Sequence, residues 1–266
     1  MKETYTIGEV AKLLKLGNDA IRFYEKKGLV HPIIDANNQY RMYHMDHILE
    51  LLDVIYYRHL DISLSEIQQL HIEPNKEKTK ALMKRKKEET TRKIAYQQQL
   101  LKKINYMLDM CEHIDQQLHT CTLDTMPAFH ILFEDKETAS FYQEQIQHIS
   151  EEEFVLCAVL KQFTIDEQTL KKQKSMIVME HQVLQDLGIP LREKNMLLEE
   201  TQCVTAILPL PEEDLSYLHI QPLLSFAKTS HYELESTLYA KEIPLTFYHD
   251  HDHYYTQIYI PIKKGS

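Results

Sequence analysis

Tyr5–Pro32 reads YTIGEVAKLLKLGNDAIRFYEKKGLVHP, and after a short spacer Asn38–Tyr43 reads NQYRMY. Thr6 suits a helix N-cap, and Glu9 three residues on gives TIGE the form of a capping box. Val10, Leu13 and Leu14 then recur at helical spacing and make one apolar face. Gly17 and Asn18 suit a turn followed by a new N-cap. In the second helix Ala20, Ile21 and Tyr24 turn inward or sideways, leaving Arg22 and Lys26 toward solvent. Gly28 ends that helix and Pro32 prevents its continuation. Ile33 and Ile34 lead through the turn-rich Asp35–Asn38 to Gln39–Tyr43, which predicts a hairpin. Met45–Leu60 reads as a third helix, with Ile48, Leu51, Leu52, Ile55 and Tyr56 at helical spacing. Ser63 caps a fourth, with Glu66 at the capping-box position and Ile67 and Leu70 facing in.

Two helices about a tight turn, followed by a β-wing, form a shape that lays one helix in a DNA major groove and steadies it on phosphates. The RFY at Arg22–Tyr24 and the YRMY at Tyr40–Tyr43 resemble the recognition helix and wing of the MerR family of transcription regulators. The resemblance implies DNA contacts from Thr6, Asn18, Arg22, Tyr24, Arg41, Tyr43, Arg58 and His59. Arg is suited to clamp a phosphate through paired N–H groups. Against this, Phe23 and Tyr24 also read as core aromatics, and Arg41 also reads as the partner of an acid in its own domain. Charge alone does not point to DNA: residues 1–71 hold eight Lys and Arg against ten Asp and Glu. Attraction must come from where the cations are placed.

From about Asn75 to His119 the chain has no helix breaker, and a helix of that length at about 1.5 Å per residue spans some 65–70 Å. Its first half is strongly polar. From Ile94 onward Leu101, Ile104, Leu108, Cys111 and Leu118 fall on four- and three-residue steps, a coiled-coil seam. Such a seam needs a partner. The family resemblance implies an antiparallel homodimer carrying two DNA-reading heads; docking on the chain's own C-terminal part is the other reading. The expected organisation is α+β: a winged helix-turn-helix over 1–71, a dimerisation helix over 75–120, and an α+β effector-binding domain with an antiparallel sheet over 122–266.

In that last part Ala128–Phe133 reads as a strand, Glu137–Ile149 as a helix, Phe154–Phe163 as a strand and Lys174–Leu187 as a helix. Cys203–Leu208 reads as a strand. Leu218–Ala227, His231–Glu242, Leu245–His249 and Tyr254–Ile262 read as strand, helix, strand and strand, and a strand–helix–strand–strand pattern recurs roughly twice. The closing YYTQIYIPIKK resembles the last strand of gyrase-inhibitor-like effector-binding domains fused to multidrug-sensing MerR members.

Residues 122–266 carry eleven basic against twenty-three acidic residues. Together with the aromatics, this suggests a pocket for a small apolar molecule, cationic or neutral, since ring faces hold cations. Its candidate residues are Glu134, Tyr142, Phe163, Phe226, Tyr232, Glu233, Tyr239, Tyr255, Gln257 and Tyr259, with Phe154 and Phe247 beside them. Gln257 departs from the resemblance, which has Glu at that place. A neutral amide does not offset the desolvation of a cation, and Glu134, Glu233 or Glu235 would have to substitute.

Metal binding has two candidate clusters: Cys111, His113, His119 and Cys121, and the run His249–His253. No Cys stands at the start of the long helix, where metal-sensing relatives supply one; Cys111 also fits the seam, and a loop is the favoured reading of His249–His253. No GxSxG, HExxH or glycine-rich phosphate loop occurs, and only five glycines are present, so no enzyme and no cofactor is expected. The hydrolase alternative would rest on Glu134 or Glu233 beside a tyrosine. The expected partners are double-stranded promoter DNA, RNA polymerase by resemblance, a small-molecule effector and a second copy of the chain. Four irregularly spaced cysteines, with no membrane span or signal peptide, suit a reduced, cytoplasmic setting.

Overall fold

The computed structural model describes residues 3–35, 39–135, 149–190, 196–210, 215–244 and 254–263. The chain divides into two compact units, Met1–Lys93 and Ile94–Ser266.

In the first unit α1 (Ile7–Leu14) starts at the expected capping box: Thr6 and Glu9 exchange bonds, with the Thr6 N–H donating to the Glu9 carboxylate at 2.9 Å. The turn differs from expectation. Lys15 closes α1 in the left-handed region at φ 54°, and Gly17 is the N-cap of α2 (Asn18–Lys26), so Asn18 is the first helical residue. Gly28 ends α2 at φ +67°, a conformation in which a Cβ is strained. A three-stranded sheet joins β1 (Tyr5–Thr6), β3 (Arg41–Tyr43) and β2 (Ile33–Ile34) in that order. Strand β1 ties the wing to the start of α1, a pairing that the local pattern did not announce.

The core beneath is Val10, Ile21, Val30, Tyr43, Ile48 and Leu51. Helix α3 (Met45–His59) buries Ile48, Leu51 and Val54 and leaves Leu52 and Tyr56 exposed, so its inner stripe is narrower than the sequence suggests. Helix α4 (Leu64–Ile72) is capped by Ser63. The Glu66 carboxylate accepts from the Ser63 hydroxyl at 2.7 Å and the Ser63 N–H at 2.8 Å, and also pairs with Arg85. These bonds, the Ser63 hydroxyl first, hold its carboxyl down from 4.5 to about 2. A depressed carboxyl stabilises the fold above its unfolded value, and that contribution is lost as pH falls from about 4.5 toward 2. Ser63→Ala is therefore expected to cost about 1 kcal/mol at neutral pH and to narrow the stability gap between pH 7 and pH 3. Thermal unfolding followed by circular dichroism at both pH values checks this; an unchanged gap removes Ser63 as the cause.

Helix α5 runs Lys76–Gln117. Its stretch from Ile94 belongs to the second unit, where one stripe (Tyr106, Met110, Ile114) packs against Ile207, Ile243 and Tyr255. The predicted seam lies elsewhere on the helix: Ile94, Leu101, Ile104, Leu108 and Cys111 are exposed, while Leu118 packs with the first stripe.

The remaining strands are β4 (Thr122–Met126), β5 (Phe129–Asp135), β6 (Ala158–Asp166), β7 (Thr169–Glu180), β8 (Leu197–Leu198), β9 (Thr201–Leu210), β10 (Thr237–Glu242) and β11 (Tyr254–Pro261). They form one antiparallel sheet in the order β4-β9-β11-β10-β6-β7-β5-β8. Among the described residues three helices accompany it: α6 (Glu151–Leu156), α7 (His181–Leu187) and α8 (Tyr217–Thr229). The order is symmetric about the β10–β6 pair: β9-β11-β10 on one side mirrors β5-β7-β6 on the other. Each half is strand–helix–strand–strand, so the expected duplication is present with different boundaries.

Three boundaries need correction. Glu151–Leu156 is helical because Ser150 and Glu153 form a capping box ahead of the strand. Ser175–Met179 continues β7, since both of its neighbours, β5 and β6, pair with it there; only His181–Leu187 is helical. The 218–242 stretch is reversed, helix first and strand second: Ile220, Leu223 and Ala227 form one buried helical face, whereas β10 lies between β6 and β11. Glu137–148 and Leu245–His249 lie outside the described residues.

Candidate functional sites

The nucleic-acid candidate lies on α2 and the wing. Arg22 is exposed and makes a weak bond to exposed Asp19 at 3.4 Å. Asn18, Lys26, Arg58 and His59 are exposed as well. Thr6 caps α1, and Arg58 donates to the Ile62 carbonyl at 2.9 Å, so both also have a part in holding the fold. Arg41 does pair within its own domain: its Nε donates to Glu25 Oε2 at 2.8 Å. That bond links the wing to α2 and orients the guanidinium. Its terminal nitrogens make no ion pair among the described residues.

Tyr43 is a correction. It is fully buried, and its hydroxyl donates to the other oxygen of Glu25; burial and that bond raise its pKa. It presents no surface to a nucleic acid and instead helps to hold the carboxylate that orients Arg41. Tyr24 packs half-buried between two cores, while Phe23 is exposed with the Lys27 ammonium 5.6 Å from its ring centre.

The second unit encloses a cavity of about 650 Å³. Its wall is built by α5 (Gln99, Lys102, Lys103, Tyr106, Met107), by Phe129 of β5 and by Phe154–Cys157 at the end of α6. Ala158, Val159, Ile177, Val178, Glu180, Lys241 and Glu242 of the sheet line it as well, together with Val183 and Pro244. A volume of this size holds a drug-sized molecule, and the lining is mostly apolar.

None of the nine candidate ligand residues that are described lines this cavity, although Phe154 does. Phe163, Phe226 and Tyr232 belong to the core under α8. Tyr239 and Tyr259 pack in a second core with Phe129, and Tyr255 lies beneath Met110 and Ile114. Glu134 pairs with Lys174, and Glu233 with Lys263 at 3.4 Å. Tyr142 and Phe247 lie outside the described residues. The sequence-based choice favoured aromatic strand residues, but those are consumed in packing; the cavity is lined instead by Tyr106 and the lysines of α5, which read as ordinary helix residues. Gln257 is the nearest success: it stands opposite Lys241 in the β10–β11 register and so shares its face of the sheet.

The charged groups of the lining are largely committed. Lys102 pairs with Asp186 at 3.5 Å, and Glu242 with Lys161 at 2.6 Å. Lys103 donates to the carbonyls of Val155 and Cys157 at the end of α6. Lys241 stands apart: its ammonium is 5.6 Å from the centre of the Tyr106 ring and 6.0 Å from that of Phe129. Burial lowers the pKa of Lys241 and of Lys103, and burial pushes the Cys157 thiol up to about 12, which leaves it a poor nucleophile. The Tyr106 hydroxyl, pushed up to about 12 mainly by burial, has no hydrogen-bond partner among the described residues. A second cation about 5 Å from Lys241 would cost roughly 3 kcal/mol at an effective dielectric constant of about 20.

Among the described residues no group of three or more His, Cys, Asp or Glu side chains is placed to hold a metal ion. Cys111 is exposed and His113 sits 3.3 Å from Asp109; His249–His253 lies outside the described residues. No helix of the described residues is long and apolar enough to cross a membrane.

A family model described as MerR HTH family regulatory protein matches residues 5–71. The ZntR homolog of Haemophilus influenzae, an HTH-type transcriptional regulator, is 41% identical over 64 residues, 24% of this chain and 47% of that protein. The chain thus spans about half the length of that relative. The CueR regulator of Vibrio cholerae is 30% identical over 119 residues, 44% of this chain and 81% of the relative. Among solved structures, an EcmrR–DNA complex within EcmrR-RPo aligns over 98% of this chain and 100% of that one, with 18% identity and a TM-score of 0.41.

Proposed function

This chain belongs to the MerR family of helix-turn-helix regulators, and on that basis we propose that it binds promoter DNA as a homodimer and answers to a small molecule. The observation that carries the DNA reading is the Glu25 link, which fixes Arg41 of the wing to the helix that exposes Arg22. Arg22 and Asn18 meet the groove, and Arg41, Arg58 and His59 meet phosphates. The unpartnered seam of α5 supports the dimer, because a stripe of apolar side chains left in water is stabilised by a second copy.

The effector occupies the 650 Å³ cavity. Because α5 lends one stripe to that cavity and another to the dimer, ligand binding alters the relation between the two DNA-reading heads. The promoter is distorted, and its elements are brought into register for RNA polymerase. This requires the effector to bind the DNA-distorting state better than the relaxed one. The protein acts in the cytoplasm, as a regulator and not as an enzyme.

The test is selection of genomic fragments by the full-length protein, followed by footprinting and anisotropy on the recovered site. Arg41→Ala and Arg22→Ala are each expected to weaken binding by roughly 1–3 kcal/mol. Equal affinity for recovered and unrelated DNA would end the regulator reading; unchanged affinity in either variant would remove that arginine from the interface.

A further inference from the structure

The cavity in the second unit has a charge problem of its own. Lys241 presents its ammonium to a space lined by aromatic and branched apolar side chains, and among the described residues it has no ion pair or hydrogen bond. The other charged groups offset this only in part. Lys102, Lys103 and Glu242 are engaged as described above. Glu180 lines the same cavity and its carboxylate favours the Lys241 charge through space, but the two make no ion pair and burial outweighs that attraction. Across the β10–β11 register stands Gln257, which carries no charge. An ammonium in such surroundings is destabilised relative to water, and an incoming anion removes that cost.

The aromatic surfaces point the same way. Ring faces attract cations, but the rings of Tyr106 and Phe129 already have the Lys241 ammonium near them. A cationic ligand would compete with a tethered cation for those faces and be repelled by it.

We propose that the effector is an apolar anion, with its body against Tyr106, Phe129 and Phe154 and its acidic group received by the Lys241 ammonium. This rests on the cavity being the effector site. It reverses the sign expected from the acidic balance of residues 122–266, because among the described residues only Glu180 and Glu242 of those carboxylates line the cavity, and Glu242 is paired with Lys161.

Two dyes with the same ring system separate the outcomes: anilinonaphthalene sulfonate, an anion, and N-phenylnaphthylamine, its neutral counterpart. A naphthyltrimethylammonium serves as a cationic competitor. Fluorescence titration of the full-length protein is expected to show the anion binding about tenfold or more tightly than the neutral dye, as suits one charge-assisted bond. Lys241→Met is expected to lose that preference while keeping the neutral dye within about twofold, and Lys241→Arg to retain it. The Arg variant keeps the test decisive if the Met variant does not fold. Val183→Trp, which fills the cavity, is expected to weaken both dyes.

Equal binding of both dyes, an equal loss of both in Lys241→Met, or strong displacement by the ammonium compound would overturn the anion assignment and leave the cavity as a site. Dye binding indifferent to Val183→Trp would instead overturn the cavity as the effector site, and the anion assignment with it.

Discussion

Leu101→Glu combined with Leu108→Glu is expected to convert the protein from dimer to monomer in sedimentation. It should also lower affinity for a two-half-site operator by more than about 100-fold. The two leucines are 58% and 56% exposed in the single chain and lie on one stripe with Ile94 and Ile104. They contribute nothing to the chain's own core, so the monomer should stay folded with an unchanged circular dichroism spectrum. Full burial of a leucine stabilises by about 1.5–3 kcal/mol, and a two-fold axis repeats each residue. With somewhat more than half of each side chain still to be covered, four leucines account for roughly 3–7 kcal/mol, a quarter to a half of the free energy of a nanomolar complex. Glutamates facing each other across the seam add repulsion. DNA affinity should fall with the dimer because one head reaches one half-site. A double variant that still sediments as a dimer would sink the seam.

The second large effect is expected at Ile114. Its side chain is fully buried and packs with Met110 of α5 against Ile207, Ile243 and Tyr255. Ile114→Ala removes three carbons from a contact between helix and sheet and leaves a cavity, at a cost of about 2–5 kcal/mol. With no tryptophan in the chain, urea unfolding is best followed by circular dichroism. If α5 transmits the effector signal, the variant should bind its operator near the wild-type affinity while losing part of its response to effector. A change below about 1 kcal/mol would show that this contact does not hold the helix to the sheet. A normal stability loss with a full effector response would remove this stripe from the signal.

The N-terminal unit was legible because its signals are local. Thr6 with Glu9 and Ser63 with Glu66 act within one helical turn, and Gly28 needs only its own φ. Taking Asn18 for a cap was a shift by a single residue in the same turn. The long helix was legible for a similar reason: absence of breakers and a repeated apolar step are properties of the chain itself. The wing was legible as a hairpin, but the role of Tyr43 was not. Whether a tyrosine beside an arginine faces outward or into the core depends on Glu25, eighteen residues away.

By itself, the sequence determined the family, the α+β organisation, the helix-turn-helix with its wing, and the long helix with its exposed apolar stripe. Each of these is written in caps, turns and periods that span a few residues. Only the tertiary structure decided which apolar runs of the second unit are strands. Ser175–Met179 is β because β5 and β6 flank it, and Leu218–Ala227 is helical because its inner face meets the sheet. It also decided the site. The cavity draws on α5, α6, β5, β6, β7 and β10, and it turns Lys241 from a surface-type residue into the ammonium of an apolar chamber. Charge and shape at such a place are set by residues more than a hundred positions apart, and no short-range pattern carries them.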